Sequence, residues 1–248
     1  MQPIPVLGTL ILNRGDLLLR LYHSIDYPFD KFVIVNNGKD PGVISACKEI
    51  EASNPDHVVI ITPPKNTGVA AGWNFIIKSF PAAWHFIVGS DVAFQPGSME
   101  KIVRAAWEGS SKYGKFVARK SDHNAFIITP LAIEKAGYFD ENFYPAYLED
   151  CDHQWRMNCT GVERLEVMDC EIIHGEAPTW GSTTIYSNPK YRAMNMFTHQ
   201  NGFMYYQKKW GGLNDHEVYK HPFNDSRISP KDWVLDPELR AANDVWEI

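Results

Sequence analysis

Along roughly the first 90 residues, apolar runs rich in β-branched side chains alternate with segments whose apolar positions recur at helical spacing. Residues 6–12 are the first such run. They end at Asn13-Arg14-Gly15-Asp16, a turn in which Asp16 is placed to cap a helix over 17–25. Strands are further predicted over 31–35, 57–61 and 84–88, with helices over 43–52 and 69–79 between them. Parallel strands need long crossovers, and a helix is the usual one. The order therefore predicts an α/β fold on a parallel, doubly wound sheet. Ligands of such sheets bind outside the carboxyl ends of the strands. Those ends carry Asn13, Asn36-Asn37, Asn66 and Ser90-Asp91, all of them polar.

Beyond Asp91 the pattern changes. Pro96-Gly97-Ser98 opens a helix to about Trp107, 116–118 and 125–129 are short strands, and 131–136 is a short helix. A helix over 149–158 is stopped by Gly161, and 164–173 is extended and ends at His174-Gly175. A polar loop over 176–188 precedes a long helix over 189–210, and the last ~38 residues have the composition of a wrapping tail. No Gly/Ser linker and no repeat divides the 248 residues, which predicts one domain with a C-terminal extension.

Bulk properties exclude several functions. The net charge of −6, with no basic runs, argues against a nucleic-acid binder that neutralises phosphates. Cys47, Cys151, Cys159 and Cys170 form no CxxC pair, so a zinc site of the usual spacing is not expected. The start has neither the charged nor the apolar region of a signal peptide, and no run of 18 apolar residues could span a membrane. The cysteines are then reduced thiols and the expected location is cytoplasmic.

Three features carry chemistry. Glu149-Asp150-Cys151-Asp152 follows the aromatic run 143–147 and puts three carboxylates in four residues. Like charges and apolar surroundings raise a carboxyl pKa, one route to a general base near neutral pH. The same residues also suit a negatively charged first helical turn. Asn66-Thr67-Gly68 and the small residues up to Asn74 open a helix on which a diphosphate could rest, although close helix–sheet packing selects the same residues. Asp91, at the end of an apolar strand, can hold a divalent cation or close a turn. His174, at another strand end, can ligate a metal through its neutral ring or serve as an ordinary hydrogen-bonding histidine. No Gly-x-Ser-x-Gly elbow is present, which argues against an α/β-hydrolase.

Taken in order, these segments resemble the family 2 glycosyltransferases with a GT-A fold, of rhamnosyl- or galactosyltransferase type. The resemblance rests on 10–14, 24–28 and 33–38, then on the Asn-x-Gly-x-x-x-Gly-x-Asn loop 66–74. Further on it rests on Ser90-Asp91 with Pro96-Gly97 at the DxD position, on 139–152 as the "ED" segment, and on 205–212 as a closing helix. It implies a GT-A type, Rossmann-like mixed sheet over 1–212, with 213–248 wrapping it. It also implies an inverting transfer of sugar from a nucleotide-diphosphate sugar to a glycan or glycolipid hydroxyl. By that likeness Asp150 is the base, with Glu149 and Asp152 orienting hydroxyls and Asp152 second choice as base. Asp91 and His174 hold Mn²⁺ or Mg²⁺. Leu10, Asn13, Asn36, Asn37, Asn66, Gly68, Asn74, Ser90 and Asp91 form the donor side.

Two departures stand out. The DxD position is Gly89-Ser90-Asp91, with one carboxylate, which weakens the metal site. The base-contacting Asp of many members is replaced by Asn36 or Asn37, whose amide can pair with uracil, thymine or guanine edges. A nucleotidyltransferase and a non-catalytic carbohydrate-binding relative are the alternatives. The extension, with Trp233 and Trp246, is read as a structural wrap, with an acceptor cover or a homodimer contact as its other roles.

Overall fold

Side chains along the central strands alternate between two apolar layers. In the computed structural model, which describes residues 2–121, 123–175 and 188–244, Leu7, Phe32, Ile34, Phe86 and Val88 enter one core. Val6, Val33, Val35 and Ile87 enter the other. A strand buried on both faces needs a continuous apolar run, which is why these segments carry almost no polar residue.

The elements in chain order begin with β1 (Val6–Ile11), α1 (Gly15–His23), β2 (Phe32–Asn36), α2 (Pro41–Ser53), β3 (Val58–Ile61), α3 (Val69–Ser79) and β4 (His85–Gly89). Then come β5 (Val92–Phe94), α4 (Ser98–Gly109), β6 (Lys115–Ala118), β7 (Ala125–Ile128), α5 (Pro130–Ala136), α6 (Glu149–Cys159), β8 (Arg164–Val167) and β9 (Ile172–His174). The long α7 (Pro189–Trp210) and the short α8 (Pro237–Asn243) follow. The main sheet has the order β3-β2-β1-β4-β7-β6-β8, and β5 pairs with β9 in a separate ribbon. β3, β2, β1 and β4 are parallel; β7 runs antiparallel to both β4 and β6, and β8 is parallel to β6. The sheet is therefore mixed and the architecture is a single α/β domain, as expected.

Three local expectations change. Asp16 is not the cap of α1: Arg14 occupies that position in the left-handed region, and Asp16 lies in the first turn, where its carboxylate accepts from Arg14 Nε at 2.9 Å. The ion pair fixes the turn in place of a cap. The extended stretch 164–173 is two strands in different sheets, because a turn with Cys170 N bonded to Val167 O redirects the chain. The strand at 92–94 had no sequence signal of its own, being three residues long. The predicted loop over 176–188 lies outside the described residues except for Asn188, and so does Trp246.

Candidate active site

Strand register builds the site edge. Leu10 pairs with Val35 on one side and Gly89 on the other, so the carboxyl ends of β1, β2 and β4 finish level. Asn13, Asn37 and Asp91 each follow within three residues of that row and all are buried. Leu10 packs its side chain beneath α3, where a Cβ on Gly72 would lie 2.7 Å from Leu10 Cδ2. Asn36 Oδ1 accepts from Gly38 N at 3.1 Å, and Gly38 is required because a Cβ there would meet Leu12 O at 1.8 Å. Asn37 Oδ1 accepts from both Thr67 N at 3.1 Å and Thr67 Oγ1 at 3.0 Å, tying the end of β2 to the loop before α3.

In that loop, Asn66 Oδ1 accepts from Gly68 N at 2.9 Å, and Tyr144 Oη donates to Asn66 O at 3.3 Å. Asn66 and Gly68 therefore shape the backbone at the start of α3. Asn74, on α3, reaches the turn before α6. Its Nδ2 donates to Phe139 O at 2.8 Å and Glu141 Oε1 at 2.9 Å, and its Oδ1 accepts from Phe139 N at 2.9 Å. Its amide is taken up in clamping α3 to the turn before the acidic cluster.

The β5–β9 ribbon brings Asp91 and His174 together. Val92 pairs with His174, and His174 Nε2 lies 3.5 Å from Asp91 Oδ1. Arg20 of α1 donates to the carbonyls of both Asp91 and Gly175. Asn124 Nδ2 lies 3.3 Å from His174 Nδ1 and donates to Ser121 O at 2.9 Å. Ser90, also buried, precedes Asp91 at the turn. Two donor atoms 3.5 Å apart can share one ion with metal–ligand distances of about 2.1 Å. A carboxylate with an imidazole suits Mn²⁺ better than Mg²⁺, which prefers oxygen alone. Among the described residues no cluster of three or more His, Cys, Asp or Glu side chains could hold a metal.

The acidic cluster separates into three roles. α6 starts after Tyr147 and Leu148, both in the left-handed region, so its first turn projects from a sharp bend. Glu149 is buried, and burial, then the neighbouring Asp150 charge, push its carboxyl well above the usual range. Asp150 is the most open of the three, with its side chain 27% exposed. Burial works to raise its carboxyl, but His123 above all, with the Cys151 N–H and the Lys115 charge, outweighs this and holds it well below the ordinary value. His123 Nδ1 lies 3.4 Å from Asp150 Oδ2, and Asp150 Oδ1 accepts from Cys151 N at 2.8 Å. The crowding of like charges thus raises Glu149 and not Asp150, contrary to the expectation for the base. Asp152 is fully buried and saturated: it accepts from Arg156 Nε at 2.8 Å, Lys209 Nζ at 2.6 Å and Trp210 Nε1 at 2.8 Å. It joins α6 to α7 and has no surface to offer a hydroxyl.

The turn between β6 and β7 links the two halves. Its neighbouring residues His123 and Asn124 touch Asp150 and His174 respectively. Gly89 N donates to Asn124 O at 2.7 Å, which ties the same turn to the end of β4. Sequence reasoning missed His123, Asn124 and Arg20, because a histidine and an amide in a short loop, or an arginine on an amphipathic helix, carry no pattern. The C-terminal segment also reaches this region. Arg240 of α8 lies 3.5 Å above the Tyr144 ring and donates to Thr67 O at 3.4 Å. Asn142 bonds to Val234 O and Asp236 N.

The model of "Glycosyl transferase family 2" matches residues 9–154, and the chain belongs to that family. It is similar to a protein of Leishmania donovani described as a galactofuranosyl glycosyltransferase. The two are 24% identical over a 318-residue alignment that covers 92% of this chain and 72% of the relative. Among solved structures it resembles the mannosyltransferase PcManGT of Pyrobaculum calidifontis in complex with GDP-Man and Mn²⁺, with TM-score 0.60 and 15% identity over 80% of this chain. It also resembles GalNAc-T7 with UDP, GalNAc and Mn²⁺, with TM-score 0.60 and 10% identity over 80% of this chain. This chain spans 63% of the first of these proteins and 51% of the second. Among the described residues no helix is long and apolar enough to cross a membrane.

Proposed function

We propose that this chain transfers a hexosyl group, with inversion, from a nucleotide-diphosphate sugar to a hydroxyl of a glycan or glycolipid. The observation that carries the reading is the pairing of Asp91 and His174 at the carboxyl edge of the sheet, one turn from the open carboxylate of Asp150. Asn37 and the end of β1 would receive the nucleotide base, and the Asn66–Gly68 backbone the diphosphate. Asp91 and His174 would hold the divalent ion, which when bound supplies positive charge to the leaving diphosphate. Asp150 accepts the proton of the acceptor hydroxyl. The freed oxygen bonds to the anomeric carbon as the bond from that carbon to the diphosphate oxygen breaks, and the nucleoside diphosphate leaves with the electron pair. Attack from the face opposite the leaving group inverts the anomeric centre. The free thiols Cys47, Cys151, Cys159 and Cys170 fit a reducing compartment such as the cytoplasm.

The test is thermal shift and slow hydrolysis of UDP-, GDP- and dTDP-linked sugars with Mn²⁺ or EDTA, on the wild type and Asp150→Asn. Metal-dependent stabilisation by one nucleotide is expected, with hydrolysis lowered ~10²–10⁴-fold in Asp150→Asn and donor binding retained. Normal turnover by Asp150→Asn would remove the base assignment. Silence toward every donor would favour a binding protein.

A further inference from the structure

The turn between β6 and β7 is closed on itself by its own hydrogen bonds. Ser121 N donates to Ala118 O at 3.0 Å, and Asn124 N to Ser121 O at 2.8 Å. Ser121 Oγ donates to Ala125 O at 3.2 Å, and Asn124 Nδ2 to Ser121 O at 2.9 Å. The bond from Gly89 N to Asn124 O, 2.7 Å long, fastens the turn to the end of β4. His123 rides on this frame. Its side chain is buried, with the ring edge-on to Phe126 at 5.8 Å between centroids. Nδ1 lies 3.4 Å from Asp150 Oδ2. Nε2 is buried with no hydrogen-bond partner among the described residues.

The two ring nitrogens therefore differ. A proton on Nε2 would be a buried donor left unsatisfied, whereas a proton on Nδ1 has a carboxylate to receive it. Burial, and after it the Lys115 charge, lowers the proton affinity of the ring, which fits a neutral imidazole with its one proton on Nδ1. A separation of 3.4 Å is long for a hydrogen bond, and contacts of catalytic groups commonly tighten once substrate binds. The other Asp150 oxygen, Oδ1, accepts from Cys151 N at 2.8 Å. One donor on each oxygen fixes the plane of a carboxylate and leaves lone pairs over for a substrate hydroxyl. The Asp150 side chain, 27% exposed, is open enough to use them.

We propose that His123 is the positioning residue of the base: its Nδ1–H, with the Cys151 N–H, holds the Asp150 carboxylate in the orientation that meets an acceptor hydroxyl. The proposal rests on Asp150 being the base. The turn supplies a second constraint. Asn124, the next residue, has its Nδ2 3.3 Å from His174 Nδ1, so adjacent residues of one closed turn reach the base and the Asp91–His174 pair. Displacement at the anomeric carbon needs the attacking and leaving oxygens on opposite faces, and a misplacement of ~1 Å can cost about 10²-fold in rate. A carboxylate free to rotate about its own side chain would lose that alignment. His123 forms no bond to substrate and acts through Asp150.

The test is hydrolysis of the nucleotide-sugar that the wild type accepts, by His123→Leu and His123→Asn, with His123→Leu made also in the Asp150→Asn background. Asparagine puts an amide N–H close to the place of Nδ1, and leucine puts none there. His123→Leu should lower kcat ~10–100-fold with donor KM within about twofold, and His123→Asn should return kcat to within about fivefold of wild type. In the Asp150→Asn background His123→Leu should cost nothing further, because its effect passes through the carboxylate already removed. Wild-type kcat in His123→Leu, no recovery in His123→Asn, or the same loss in the Asp150→Asn background overturns the proposal. Normal turnover by Asp150→Asn overturns the base assignment itself and is a separate result. A second measurement needs no variant to fold: ¹⁵N NMR of the histidine-labelled wild type, with the His123 ring identified through its contact with Phe126. A proton on Nδ1 is expected, and a ring protonated on Nε2 alone overturns the proposal.

Discussion

The guanidinium of Arg20, on the first helix, donates to the backbone carbonyl of Asp91, 71 residues further along the chain. Its other terminal nitrogen, Nη1, donates to Gly175 O at 3.0 Å. One side chain thus grips the chain at Asp91 and just past His174, and fixes the separation of the two side chains that would share a metal.

Replacing Arg20 by Met should loosen both grips. Hydrogen bonds from a charged donor are worth about 1.5–3 kcal/mol each, so a loss of ~2 kcal/mol or more in stability is expected in chemical denaturation. Affinity for Mn²⁺ in the presence of nucleotide, followed by electron paramagnetic resonance, should fall ~10–100-fold, the usual cost of losing support behind a ligand. Unchanged affinity would make Arg20 a structural residue alone.

Gly68 has φ +81°, and a Cβ there would lie 2.7 Å from Tyr144 Cδ2 and 3.0 Å from Pro145 O. Gly97 has φ +74° and nothing within 4 Å. Gly97→Ala should therefore cost only the left-handed strain, about 1–2 kcal/mol. Gly68→Ala adds a clash and displaces the loop at the start of α3. It should be the less stable variant by thermal melting and should lose nucleotide binding by calorimetry, while Gly97→Ala keeps it. Equal nucleotide affinity in both variants would remove this loop from the donor site.

Lys209 Nζ donates to Asp140 Oδ2 at 2.8 Å and Asp152 Oδ1 at 2.6 Å, with all three side chains buried. Lys209→Met leaves the two carboxylates without this cation and should cost about 3–5 kcal/mol. Burial would raise the Asp152 carboxyl, but Arg156 and Lys209 outweigh it and hold it below the ordinary value. A carboxyl lowered in the folded state contributes stability above its unfolded pKa of about 3.9, and that contribution fades as pH falls through the folded value. Without Lys209 the fade begins at higher pH. The acid-unfolding midpoint, followed by tryptophan fluorescence, should move up in Lys209→Met; an unmoved midpoint would show that Arg156 alone holds Asp152.

Legibility in the sequence followed the range of the forces involved. The strands and helices of the first half were visible because burial on both faces demands unbroken apolar runs, as in Val33–Val35 between the two cores. The polar strand ends were visible for the same reason, since Asn36, Asn37 and Asp91 interrupt those runs. Three adjacent carboxylates were visible too, but not their separate environments. Asp152 is the second choice for the base in the sequence, but in the fold Lys209 and Trp210, from α7, close around it. Nor could the sequence show that the Asn74 amide bonds to Phe139 and Glu141.

The sequence by itself determined the alternating α/β order, the carboxyl edge where a ligand must sit, and the residues able to do acid–base or metal chemistry there. These follow from hydrophobic periodicity and side-chain chemistry, which are local properties. The tertiary structure alone decided which carboxylate stays open, that Asp91 meets His174 through the β5–β9 ribbon, and that His123 pairs with Asp150. Those pairings join positions far apart in the chain, and the electrostatic environment of a group is set by what packs around it in space.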